Sequence, residues 1–148
     1  MAQRAVSDSW SVVMTARQWA VLYGHLFRDG GGEHGAVLRC GVAQSPRGSR
    51  LLVREVFLAV DGVDYVEGTR GHRKLTAEFI TEAIDGCPEQ GLAYLAVHNH
   101  GGADHVAFSR TDMASHERGY PALLDINGGA PVGALVFAAN AVAGDIWT

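Results

Sequence analysis

Apolar positions Trp19, Leu22, Tyr23 and Leu26 recur at helical spacing behind Thr15, and Gly30-Gly31-Gly32 stops the run. The pattern predicts a helix over ARQWAVLYGHLFR, capped by Thr15. HGAVLRCGVA and RLLVREVFLAV then read as two strands of a hairpin around the turn SPRGS. DGVDYVEGTRGHRK is polar and reads as a loop with room for one short strand. LTAEFITEAID returns to a helical pattern, with Thr76 as cap and Gly86 and Pro88 as the stop. GLAYLAVH and PVGALVFAA are short apolar runs, the signature of buried strands. Between them Ser109-Arg110-Thr111-Asp112 starts a helix that Gly119 and Pro121 are expected to interrupt, with a further turn at PALLDI. AGDIWT closes the chain as an edge strand. Helix, hairpin, helix, strand, helix and strands in that order predict an α/β domain with a mixed central sheet and helices on its faces.

Composition adds limits. The 148 residues fit one domain, with 47% hydrophobic residues to build its core. The net charge of −4 and the absence of a basic run argue against a nucleic-acid surface. Cys40 and Cys87 are far apart and form no CxxC pair, so a reduced, cytoplasmic protein is expected. The most apolar segment, PVGALVFAANAVAG, is too short to span a bilayer, so no membrane role is expected. The last residues are apolar, which is compatible with truncation from a longer chain.

The chemistry concentrates in AVHNHGGADHVAFSRTD, residues 96–112. His98 and His100, two apart on a strand end, project to one face and can reach one ion. Asp112, in the first turn of the next helix, can bring a carboxylate from the other side. Two histidines and a carboxylate, with a fourth position open, is the ligand count of a catalytic zinc. Such a site needs a general base, and Glu33, at the mouth of the first long strand beyond three glycines, is the best candidate. Ser109 can stabilise an oxyanion through its hydroxyl. Ser109 and Asp112 also read more simply as the cap and the first-turn acid of a helix. Asp104 and His105 are candidate substitute ligands or solvent-facing loop residues, and His25, His34, His72 and His116 read as ordinary.

His98-x-His100 followed by Ser109-x-x-Asp112 resembles the H-x-H…S-x-x-D signature of the JAMM (JAB1/MPN/Mov34) metalloproteases, and GEHGAVLRCG resembles their glutamate-bearing first strand. The resemblance runs from the Trp19 helix to the PVGALVFA strand. It looks closest to the bacterial JAB branch found beside or fused to ThiF-like adenylyltransferases. It implies a cytidine-deaminase-like fold and one zinc per chain on His98, His100 and Asp112. It also implies Glu33 as general acid/base, Ser109 as oxyanion stabiliser, and a ubiquitin-like protein or its conjugate as substrate. A ThiF-like domain or protein is an implied partner, and residues 61–74 are a candidate wall for the substrate tail or else a plain connection. Two departures stand out. Gly101 replaces the usual proline, and eight residues separate His100 from Ser109, one more than the commonest spacing.

Three rivals share parts of this pattern. A RadC-like, DNA-repair-associated domain has a similar His-Asn-His motif, but with proline and serine where this chain has Gly101-Gly102. A zinc deaminase needs a P-C-x-x-C pair that Cys40 and Cys87 cannot supply. A non-catalytic MPN scaffold typically lacks one or more ligands.

Overall fold

The computed structural model describes residues 2–4, 10–28, 32–67 and 73–148. Among the described residues, six strands and four helices follow in order as β1 (Trp10–Val13), α1 (Ala16–Leu26), β2 (Gly35–Ser45), β3 (Gly48–Leu58), α2 (Ala77–Ile84), α3 (Cys87–Gln90), β4 (Ala93–Asn99), α4 (Arg110–Ile126), β5 (Val132–Ala138) and β6 (Ala141–Trp147). The strands form one mixed sheet in the order β1-β3-β2-β4-β5-β6. The β1/β3 and β4/β5 pairs are parallel and the other three pairs antiparallel.

The hairpin expected from the alternating run is β2–β3, with a bulge between Arg39 and Cys40 that leaves an extra residue on β3. The apolar run of β5 is buried at every position, as an interior strand covered on both faces requires. β6 is an edge strand, as expected, and begins at Ala141. β1 was not expected: its four residues carry too short an alternation to read, and it adds to β3 in parallel.

Side-chain parity along β4 divides the core. Ala93, Leu95 and Val97 pack with Leu22 and Leu26 of α1 on one face of the sheet. Tyr94 packs with Phe79 of α2 and with Tyr120 and Leu124 of α4 on the other. His98 follows the parity of Tyr94 and faces α4, while Asn99 follows Val97. Truncating a core leucine such as Leu22 to alanine typically costs about 2–5 kcal/mol.

The predicted caps Thr15 and Thr76 are present. Thr15 and Gln18 close a capping box on α1, and the Thr76 hydroxyl accepts the Phe79 N–H on α2. The expectation for α4 needs correction, because it runs unbroken through Gly119 and Pro121. An interior proline forfeits a backbone hydrogen bond and typically costs about 3 kcal/mol. The helix persists because Asp112, His116, Tyr120 and Leu124, each four apart, form a buried stripe against the sheet. After β3, Tyr65 bridges Leu75 and the Val66 N–H donates to the Lys74 carbonyl. Among the described residues no helix is long and apolar enough to cross a membrane.

Candidate metal centre

His98 leaves the end of β4 toward α4, and His100 follows two residues later. The His100 N–H donates to the Phe137 carbonyl at 2.8 Å, which holds the start of the following loop beside β5. Gly102 turns that loop with φ +98°, a region that favours glycine. The loop then docks on the β5–β6 turn, with the Asn140 N–H on the Ala103 carbonyl at 2.7 Å. Ser109 ends it as the N-cap of α4. The side chain of Asp112 thereby arrives opposite the two rings.

The three donors form a tight triangle. His98 Nε2 and His100 Nε2 stand 3.1 Å apart, and each lies 3.4 Å from Asp112 Oδ2. A tetrahedral zinc with ligand bonds of about 2.0–2.1 Å separates its ligand atoms by roughly 3.3–3.4 Å. The triangle therefore has the size of one tetrahedral face. The donor chemistry agrees. His100 Nδ1 faces the Ala107 carbonyl at 3.1 Å; a carbonyl only accepts, so Nδ1 carries the proton and Nε2 presents its lone pair. Burial pushes the Asp112 carboxyl up, but hydrogen bonds from His98 and Ser109 outweigh it and hold the group well below the usual carboxylate range. The His100 Nε2 lone pair, His98 Nε2 and the Asp112 carboxylate converge on one point. His98, His100 and Asp112 can hold a divalent ion.

Glu33 and two of these ligands share a cleft of about 400 Å³, lined by Glu33, His98 and Asp112 with Tyr65, Arg73 and His116 around them. Glu33 lies just before β2, and its carbonyl accepts from Arg73 at 3.2 Å. Its neighbours are fixed as well. Asn99 accepts the His34 N–H at 2.7 Å and donates to the Gly32 carbonyl at 3.0 Å. Ser109 Oγ accepts the Asp112 N–H, and the Asp112 carboxylate accepts the Ser109 N–H. The plain reading of Ser109-x-x-Asp112 as a helix start thus holds together with the ligand reading. Asp104 and His105 are exposed, and neither joins the triangle.

Compared with known proteins, the chain matches no protein-family model, and no curated protein shows significant sequence similarity. The metal centre therefore rests on its own geometry. Its three donors come from the end of β4 and the start of α4.

Two of the histidines read as ordinary, His34 and His116, line the cleft, and a third, His25, is buried nearby. His116 Nδ1 lies 2.7 Å from Asp145 Oδ2, and that carboxylate also receives Arg4 at 2.6 Å and the Trp147 indole N–H at 3.3 Å. Burial lowers the His116 pKa, although Asp145 opposes it, so the ring is neutral at neutral pH. Phe108 packs edge-on to His116, with ring centroids 4.9 Å apart, and also faces His98. On the Glu33 side, His25 Nε2 faces the Gly35 carbonyl at 2.9 Å, and Arg28 bridges His25, His34 and Asp61. Arg73 reaches the same Asp61 at 2.9 Å and lies 3.6 Å over the Tyr65 ring, while the Tyr65 hydroxyl accepts the Gly35 N–H at 2.6 Å. This cluster ties the loop after β3 to α1. His72 lies outside the described residues. The four-residue spacing from Asp112 to His116 was a readable signal for burial; nothing local marked Asp145 as its partner.

Proposed function

We propose that the protein is a zinc-dependent peptidase of the JAMM/MPN kind, with a cytidine-deaminase-like fold. It cuts the peptide or isopeptide bond that follows the C-terminal tail of a ubiquitin-like protein. The observation that carries this reading is a ligand triangle of tetrahedral dimensions, two of whose residues line the same cleft as Glu33. Zinc held by His98, His100 and Asp112 supplies Lewis acidity that makes water a nucleophile near neutral pH. Glu33 takes the proton of the attacking water and returns it to the leaving amine. Ser109 Oγ accepts from the Asp112 N–H, which leaves its hydroxyl hydrogen to donate to the oxygen on which charge develops.

A glycine-ended tail is suited to binding as an added strand, because main-chain hydrogen bonds hold it without demands on side chains. Residues 61–74 are the proposed wall for that tail. The proposed setting is the cytoplasm, with a ThiF-like adenylyltransferase as functional partner. A non-catalytic scaffold has no need of a complete ligand triangle with a glutamate lining the same cleft. The test is incubation with a ubiquitin-like protein fused through its C-terminal glycine to a reporter, with and without chelator. Release only in the presence of zinc supports the reading; release that chelator does not affect, or none with zinc bound, overturns it.

A further inference from the structure

Asn99 sits between the two histidine ligands, yet strand parity turns it away from them. It is buried, 6% exposed, and spends both ends of its amide on the backbone that carries Glu33. Its Oδ1 accepts the N–H of His34 and its Nδ2 donates to the carbonyl of Gly32, the residues on either side of Glu33. The register explains why a side chain is needed. β2 and β4 pair as far as Gly35 and His98, and there the chain of β2 leaves the sheet. Asn99 continues the pairing with its side chain where the ladder stops. The strand end that delivers His98 and His100 on one face thus grips the Glu33 peptide with the other.

We infer that Asn99 is a positioning residue that sets Glu33 at a fixed place relative to the metal ligands. This rests on the proposed reaction for its kinetic consequences, though not for its geometry. Without the amide, Glu33 follows a backbone that retains the Arg73 bond to its carbonyl and is no longer referenced to β4. A misplacement of about 1 Å in a reacting group costs on the order of 10²-fold in rate.

The experiment uses Asn99→Leu, which keeps the approximate shape and removes both bonds, and Asn99→Asp, which keeps the acceptor and removes the donor. Cobalt(II) replaces zinc, and the side-chain carboxyl carbons of glutamate are ¹³C-labelled, with Glu33 assigned from its loss in Glu33→Gln. In the unsubstituted protein the Glu33 carbon should be strongly shifted by the paramagnetic ion. In both variants that shift should change while one cobalt per chain is retained. With the reporter fusion, kcat should fall on the order of 10²-fold with KM little changed, and neither variant should add to the loss caused by Glu33→Gln.

An unchanged Glu33 shift in the variants overturns the inference, as does loss of the metal from a folded Asn99→Leu protein. Should Asn99→Leu fail to fold, Asn99→Asp gives the same reading. A shift that depends on Asn99 in a protein that cleaves no fusion upholds the positioning and removes the proposed reaction, so the two failures are distinct.

Discussion

Ser109 and Asp112 hold one another: Ser109 Oγ accepts the Asp112 N–H at 3.0 Å, and the Asp112 carboxylate accepts the Ser109 N–H at 2.9 Å. A helix cap and a metal ligand are therefore one device. The pair satisfies two of the open N–H groups at the start of α4 and fixes the carboxylate that completes the triangle.

Replacing Ser109 separates its two duties. Alanine at an N-cap costs about 0.5–2 kcal/mol and glycine only a few tenths. Ser109→Ala should therefore lower the melting midpoint while Ser109→Gly leaves it nearly unchanged. Both lack the hydroxyl, so both should lose about 10²–10³ in kcat with zinc still bound. Turnover that followed stability across the pair would leave Ser109 as a cap alone.

Metal binding should stabilise the fold. The protein prepared without chelator should hold one zinc per chain by elemental analysis. Zinc at a hundred times its dissociation constant adds about 2.7 kcal/mol, roughly 5–10 °C in midpoint for a domain of this size. His98→Ala removes one corner of the triangle and should abolish the rise. A rise of equal size in that variant would place the ion elsewhere.

Glu33→Gln conserves the side-chain shape and removes the base. Zinc content and melting midpoint should match the parent protein, and reporter release should drop by about 10²–10⁴. Parent-like turnover would assign the proton transfer to another group in the cleft.

How much of this was legible depended on whether the deciding interaction was local. Capping residues Thr15, Thr76 and Ser109 stand beside the helices they start, and the apolar runs of β4 and β5 announce buried strands. The i, i+2 spacing of His98 and His100 was enough to place two donors on one face. The continuity of α4 was missed because two of the four positions in its buried stripe, Asp112 and His116, are polar, so the stripe does not read as hydrophobic. The link from Asn99 to the Glu33 backbone spans 65 residues to His34, and the Arg4–Asp145 pair spans 141. Contacts of that kind exist only once the sheet has formed.

Asp145 supports a final prediction, on acid stability. Burial pushes its carboxyl up, but hydrogen bonds from Arg4, His116 and the Trp147 indole outweigh it and hold the group below its ordinary value of about 3.9. The folded state therefore keeps this carboxylate ionised to lower pH than the unfolded chain does. The stability it contributes is fully present above about pH 5 and drains away as pH falls through the depressed folded value. Asp145→Asn should cost about 1.5–3 kcal/mol at pH 7, the usual range for a hydrogen bond to a charged group. Denaturant melts of chelator-treated parent and variant, taken from pH 8 to pH 2, should give a gap that is present above about pH 5 and narrows in strong acid. A gap that stayed constant to pH 2 would mean that packing around the position, and not its charge, sets the loss.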